Sequence, residues 1–400
     1  MFIKFFALFI IFIFEKYAFN IEDYKEMQEF MDLSLKGFLT LQNFTWENKS
    51  LYAYFPIRVS LAKLFDKNKA LSCSNNPLIS IVIALYNGEG LIKNGLFSIE
   101  NQDFKDIEII IVDDWSKDNS TQLIEEFIKF DPRIKLFKNY ENKGTLFTKS
   151  KGVLNAKGKY VLIFDQDDMY TKRYALSTLY NEIESKKLDI LGFTSIETNN
   201  FHIHSKLYKH KFRNKKETEI IYQPDIRKQM YIYTKTKLVK RKNVVIWNYM
   251  IKRELFLNCI NEINNKIMNT KMVRHEDYLI FFLLSRRAYN IKYIKKVFYA
   301  QIILKKSKDK KIIFSMEQKN KNKKDLECMS FINYVEFLLL KTDDTILDKK
   351  IASYELDRWV LSTECKKNEF IKEKRKEVYN FFLNNKFIEN KIKKKLNNLI

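Results

Sequence analysis

The feature that most constrains this chain is a rhythm between residues 78 and 170. Three short hydrophobic runs, β-branched or aromatic, at 79–84, 107–112 and 160–164, each end in a polar and mostly acidic cluster. Runs of that length and composition read as strands of a parallel sheet covered on both faces. Between them the spacing is helical: Ile92, Leu96 and Ile99, and then Leu123, Phe127 and Phe130, fall at i, i+4, i+7. Alternating strands and helices predict an α/β fold with a mostly parallel central sheet flanked by helices, joined by right-handed crossovers. All strand C-termini then share one edge. Tyr86 and Asn87, Asp113 and Asp114, and Asp165, Asp167 and Asp168 converge on the crevice where open α/β sheets bind ligands.

Each cluster suits a particular chemistry. Tyr86, an aromatic at a strand terminus, suits stacking on a planar base. A carboxylate at 113 or 114 suits a base N–H or ribose hydroxyls, while Asp118, Asn119 and Ser120 suit capping of the next helix. Asp165-Gln166-Asp167-Asp168 is the sharpest cluster. Carboxylates this close raise one another's pKa and call for positive charge. A divalent cation supplies it through oxygen ligands and also grips a diphosphate. Further along, 189–193 reads as a strand and 244–256 as a strand followed by a helix. His275-Glu276-Asp277 opens another helix, in which Leu279, Phe282 and Leu283 share a face; acids at that end are also favoured by the helix dipole.

Four stretches in order, "SIVIALYN", "IIIVDDWSKDNS", "NKGTLFTKSKG" and "FDQDDMY", resemble the nucleotide-binding half of glycosyltransferase family 2, which has the GT-A (Rossmann-like) fold. The resemblance implies transfer of a sugar from a nucleotide diphosphate sugar, a UDP-sugar by preference, to an acceptor hydroxyl, with inversion and a divalent metal, Mn or Mg. By that match Tyr86, with Asn87 beside it, contacts the base, Asp114 the uracil or its equivalent, and Asp113 the nucleoside side. Asp165 and Asp167 form a D-x-D that holds nucleotide and metal, with Asp168 a further ligand or sugar contact. Asp277 is the expected catalytic base, with Glu276 second, since the acceptor hydroxyl must lose a proton as it attacks. Trp247 either packs against the sugar or belongs to the core. Two departures stand out: Trp115 occupies a position where the family has a small residue, often Gly, and Thr148-Lys149-Ser150 replaces Ala-Arg-Asn. Lys149 is expected to face a phosphate as a point charge.

The remaining chain is less specific. Lys and Arg number 72 against 49 Asp and Glu, a formal charge of +23. No zinc-finger spacing and no Arg-rich arm accompany that excess, so no nucleic-acid partner is expected. Cys73, Cys259, Cys328 and Cys365 are far apart with no C-x-x-C, which indicates neither a zinc ribbon nor a thioredoxin-like motif, and four in a chain this long do not make a disulfide scaffold, although an oxidising compartment leaves room for one disulfide. Residues 1–20 open with Lys4 and an apolar core of about ten residues, which suits a signal peptide or short signal anchor. A signal there would direct the chain to the lumen of the endoplasmic reticulum or Golgi, anchored if uncleaved; the alternative is a buried N-terminal helix. A helical extension at 21–76 carries sequons at Asn43 and Asn48, and Asn75-Asn76-Pro77 marks the turn into the main domain, 77–304. Within it, 77–190 is the nucleotide-binding half and 191–304 the acceptor half. His202, His204 and His210 read as loop, and 305–400 as a basic helical region facing solvent or anionic lipid headgroups. The acceptor class, glycan, lipid or protein, stays open. The alternatives to a transferase are a non-catalytic nucleotide-sugar-binding module and a basic nucleic-acid-binding protein, against which the acidic clusters argue.

Overall fold

The structure, a computed structural model, describes residues 75–129, 131–198, 211–213, 217–233, 238–241, 245–302, 330, 333–338 and 355. The expected signal or anchor, the extension up to residue 74 with its sequons, the three clustered histidines, the Lys-rich stretch 305–324 and the basic stretch 366–400 lie outside the described residues. Among the described residues no helix is long and apolar enough to cross a membrane.

The elements run β1 (Ile79–Leu85), α1 (Ile92–Glu100), β2 (Ile107–Asp113), α2 (Ser120–Ile128), β3 (Ile134–Lys138), α3 (Thr145–Leu154), β4 (Tyr160–Asp165), β5 (Met169–Tyr170), α4 (Ala175–Ser185), β6 (Ile190–Thr198), β7 (Lys211–Arg213), β8 (Ile221–Tyr222), β9 (Tyr231–Tyr233), β10 (Leu238–Arg241), β11 (Tyr249–Lys252), α5 (Arg253–Asn261), α6 (Asn265–Met268), α7 (Glu276–Arg287) and β12 (Asn290–Ile302). A ten-stranded sheet has the order β3-β2-β1-β4-β11-β6-β12-β5, with β7 on β6 and β8 on β12. Strands β3, β2, β1 and β4 are mutually parallel. Beyond β4 the sheet is mixed, because β11 runs antiparallel to both β4 and β6.

Strand periodicity builds three layers. Ile79, Ile81, Ile83, Ile109, Ile111, Leu162 and Phe164 pack with α1, α2 and α4 on one face. Their neighbours Val82, Ile110, Val112, Val161 and Ile163 pack with α3, α5 and α7 on the other. Successive side chains of a strand point to opposite faces, so a strand buried on both sides reads as continuous hydrophobicity. Helix α3 seats directly on β1 because Gly152 has no side chain; a Cβ there would lie 2.3 Å from Val82 Cγ1. Helix α7 departs from the single apolar face expected of it. Leu279 through Ser285 are all buried, so it is a core helix rather than a surface one.

Ser80 of β1 and Glu108 of β2 are buried polar residues that interrupt the apolar runs of two adjacent parallel strands. Glu108 of β2 is buried and accepts hydrogen bonds from Ser80 Oγ (2.5 Å), Lys157 N (2.6 Å), Gly158 N (3.2 Å) and Lys135 Nζ (2.6 Å). Burial pushes its carboxyl up, but the Lys135 and Ser80 hydrogen bonds outweigh that and hold it below the usual glutamate value. The polar pair thus anchors the turn into β4 at the sheet edge opposite the crevice. Its stabilisation is present above the ordinary glutamate pKa and is lost as pH falls through the lowered one. Glu108→Ala strands these donors and is expected to cost about 3 kcal/mol, read by urea denaturation at neutral pH; an unchanged midpoint would show that water replaces the carboxylate.

Candidate active site

Parallel register brings three strand ends level. Leu85 pairs with Asp113, and Ala84 pairs with Asp165. The loops that leave these ends are tied to one another. Gln166, between the two outer acids of the D-x-D, accepts from Tyr86 N (2.8 Å) and donates Nε2 to Tyr86 O (3.0 Å). Asn87 donates its N–H to Ser116 Oγ (2.9 Å) and accepts from Lys117 N (2.6 Å), while Gly88 N donates to Ser120 Oγ (2.8 Å). Asn87 takes a left-handed φ of 46°, is 1% exposed, and leaves its Nδ2 without a partner among the described residues.

Asp113 and Asp114 form the floor, at 4% and 5% exposure. Asp113 accepts from Ser116 N (3.0 Å), Ser116 Oγ (2.5 Å) and Thr121 Oγ1 (2.7 Å). Asp114 accepts from Asn139 Nδ2 (2.9 Å), Lys143 N (2.8 Å) and Gly144 N (2.9 Å), and burial pushes its carboxyl up. Both acids therefore order the loops around the crevice, and any ligand contact uses what lone-pair capacity remains. Gly144 makes that turn at φ 85°, which favours glycine. Asn139, which sequence reading passed over, follows β3 directly and fixes Asp114. Asp118, expected to cap α2, does accept from Ser120 N (3.0 Å).

Trp115 explains itself through its backbone. It adopts φ 64°, a left-handed conformation that glycine takes without strain, and is 43% exposed. The Lys117 ammonium lies 3.7 Å from its ring centroid, a cation–π contact that offsets part of the cost.

The largest correction concerns Lys149, expected to face a phosphate. Its side chain is 3% exposed, and its ammonium lies 3.1 Å from Glu276 Oε1, 3.3 Å from Asp277 Oδ1 and 3.5 Å from Asp165 Oδ1. Burial disfavours its charge, but the Asp165, Asp277 and Glu276 carboxylates raise its pKa well above that of an ordinary lysine. Part of the positive charge demanded by the acids thus comes from α3 itself. Asp277 is 16% exposed. Burial pushes its carboxyl up to about 6, against the lowering pull of Lys149 and with the added push of Glu276.

The D-x-D turn is held by β12. Tyr299, fully buried, accepts the Asp165 N–H at 3.0 Å and stacks on Trp247 at 4.4 Å and 15°. Trp247 is 2% exposed. It is therefore core beneath the turn, with Tyr299 against its ring, and does not offer a face to a sugar. Asp168 is the most enclosed of the three acids. It is 2% exposed and accepts the Ile302 N–H at 2.9 Å, while burial, Asp167 and Asp165 push its carboxyl well up. Asp165, 31% exposed, and Asp167, half-buried, are more open. Among the described residues no group of three or more His, Cys, Asp or Glu is arranged to hold a metal. An ion here would need oxygens from the diphosphate to complete its shell.

Residues 80–246 match the family described as glycosyl transferase family 2. An uncharacterized glycosyltransferase of Haemophilus influenzae is 27% identical over 217 residues, covering 48% of this chain and 84% of that protein. The GalNAc(5)-diNAcBac-PP-undecaprenol beta-1,3-glucosyltransferase of Campylobacter jejuni is 36% identical over 122 residues, 30% of this chain and 39% of that protein, so the match spans well under half of that relative. The crystal structure of Staphylococcus aureus TarS 1-349 in complex with UDP-GlcNAc superposes with a TM-score of 0.54 at 17% identity, covering 78% of this chain and 82% of that one. At that identity the likeness concerns the fold.

Lys149→Met leaves three carboxylates without their shared cation and is expected to destabilise the protein by about 3 kcal/mol. Lys149→Arg keeps the charge and recovers most of it. Equal denaturation midpoints for wild type and Lys149→Met would refute the assigned pairing.

Proposed function

From the match of residues 80–246 to glycosyl transferase family 2, we propose that the chain transfers a sugar from a nucleotide diphosphate sugar, a UDP-sugar by preference, to an acceptor hydroxyl with inversion. The observation that carries this reading is the Lys149 ammonium, which joins Asp165 of the donor-side turn to Glu276 and Asp277 at the N-terminus of α7. A diphosphate held at the turn then lies one side chain away from a base, and a single displacement needs both.

Tyr86, half-buried at the end of β1, stacks on the base, and the unpartnered Asn87 Nδ2 donates to the nucleoside or first phosphate. Asp113 and Asp114 set the loops that shape this pocket. A divalent ion at Asp165 and Asp167 would bind diphosphate oxygens and stabilise the negative charge of the leaving nucleotide. Asp277 takes the proton from the acceptor hydroxyl as its oxygen attacks the anomeric carbon from the face opposite the leaving group. Lys149 keeps the carboxylate oriented and favours its ionised form. The name of the Campylobacter relative supports a lipid-linked glycan as the acceptor class to try first.

The base works only when ionised. With its carboxyl pushed up to about 6, transfer is expected to fall as pH drops through that value and to level off above it; a kcat/KM profile from pH 5 to 8 checks this. Asp277→Asn keeps shape and removes the base, and kcat should drop by about 10²-fold or more while the nucleotide still binds. The founding experiment is a melting-temperature panel of nucleoside diphosphates and their sugars, with and without Mn. A rise with UDP that depends on the metal supports donor and cofactor together. Well-folded protein that responds to no nucleotide would remove the reading altogether, and binding without transfer or donor hydrolysis would leave a non-catalytic module.

A further inference from the structure

The described part of the C-terminal region lies against the loop that delivers Asp277. Ser330 Oγ accepts the Val273 N–H at 3.0 Å. Helical residues 333–338 follow. Tyr334 is fully buried, its ring 6.3 Å from the His275 imidazole and nearly parallel at 16°, and 6.1 Å from the Tyr278 ring. Val335, Phe337 and Leu338 join the core that contains α7, and Glu336 pairs with Lys266 of α6. The other side of the same loop is held by α3, where Leu146 N donates to Met272 O at 3.2 Å.

What this clamp holds is strained. His275 sits at φ 67°, left-handed for a residue that is not glycine, and its carbonyl accepts the Tyr278 and Leu279 N–H groups that begin α7. Such a conformation persists only where its surroundings over-determine it. The next two residues are Glu276 and Asp277. A change at His275 therefore re-aims both carboxylates with respect to Lys149.

We propose that residues 330–338 are a positioning element of the active site: Tyr334 packs the strained His275, Ser330 fixes Val273, and together they set the angle at which Glu276 and Asp277 meet Lys149 and the acceptor. The segment lies well beyond residues 80–246, the part that matches the family. The catalytic half of this inference rests on Asp277 acting as the base; the mechanical half does not.

The test uses the full chain with Tyr334→Ala, Tyr334→Phe and Ser330→Ala. Transfer kinetics, UDP affinity in the presence of Mn, and amide hydrogen exchange are read on each. Tyr334→Ala is expected to lower kcat about tenfold, as misplacement of a reacting group does, with donor KM and UDP affinity unchanged. Exchange should quicken at 272–278 and stay as in wild type along β1 and β2. Tyr334→Phe, which keeps the ring, should restore most of the rate, and Ser330→Ala should act in the same direction as Tyr334→Ala but less. If Tyr334→Ala does not fold, Ser330→Ala carries the test, since it deletes one acceptor and little packing. Unchanged exchange at 272–278 overturns the clamp, as does a loss of kcat matched by an equal loss of UDP affinity. If the wild type transfers no sugar, the proposed function falls, while the exchange data still decide whether the segment holds the loop.

Discussion

Lys149 is a single buried ammonium shared by three carboxylates from two distant parts of the chain, and the crevice depends on it. An amine moved out of water costs several kcal/mol unless paired. Here the Glu276, Asp277 and Asp165 oxygens supply that pairing within 3.5 Å. The converse also holds, since three acids could not gather at this edge without a cation among them. The arrangement explains why lysine suffices where the family resemblance led to an arginine. A point charge at the centre of three acceptors needs no planar fork, whereas recognition of one carboxylate or phosphate by two parallel bonds does.

That cluster still carries more negative than positive charge, and Asp167 adds to it on the open side. The imbalance leaves negative charge at the crevice unmatched and leaves Asp277 with a carboxyl pushed up to about 6. A carboxyl poised near neutrality and a turn short of positive charge are two consequences of one electrostatic deficit. Neither requires a special residue; both follow from placing three acids around one lysine at the mouth of a buried sheet.

The rest of the scaffold keeps this geometry from drifting. Register sets the ends of β1, β2 and β4 level, and Gln166 then locks the first to the last with a two-way amide contact to Tyr86. From below, the Trp247–Tyr299 stack supports Asp165 through its N–H, and Ile302 fixes Asp168. The site is a floor built on strand ends, with the loops before α2, α3 and α7 tied over it by hydrogen bonds. Placing these acids on short turns between well-packed elements is what lets a fold of this kind hold carboxylates close together.

Much of this was legible along the chain because it depends on local period. A strand buried on both faces writes itself as a hydrophobic run, so β1, β2 and β4 and the crevice at their C-terminal ends could be read directly, as could the start of α7 at Glu276. Gln166 was visible only as the middle of a D-x-D, since nothing in a sequence says that its amide turns back to Tyr86. Lys149, Trp247, Asp168 and Tyr299 were beyond reach for a related reason. Lys149 is 128 residues from Asp277 and Tyr299 is 134 from Asp165, and whether a side chain faces a ligand or a neighbour is decided by what the mixed half of the sheet brings against it. By itself the sequence determined which strands form, where their polar ends gather and that acids crowd there. Only the tertiary structure decided that the crowding is relieved from within by a buried lysine, because desolvation and charge pairing depend on distances that exist only once the chain has closed on itself.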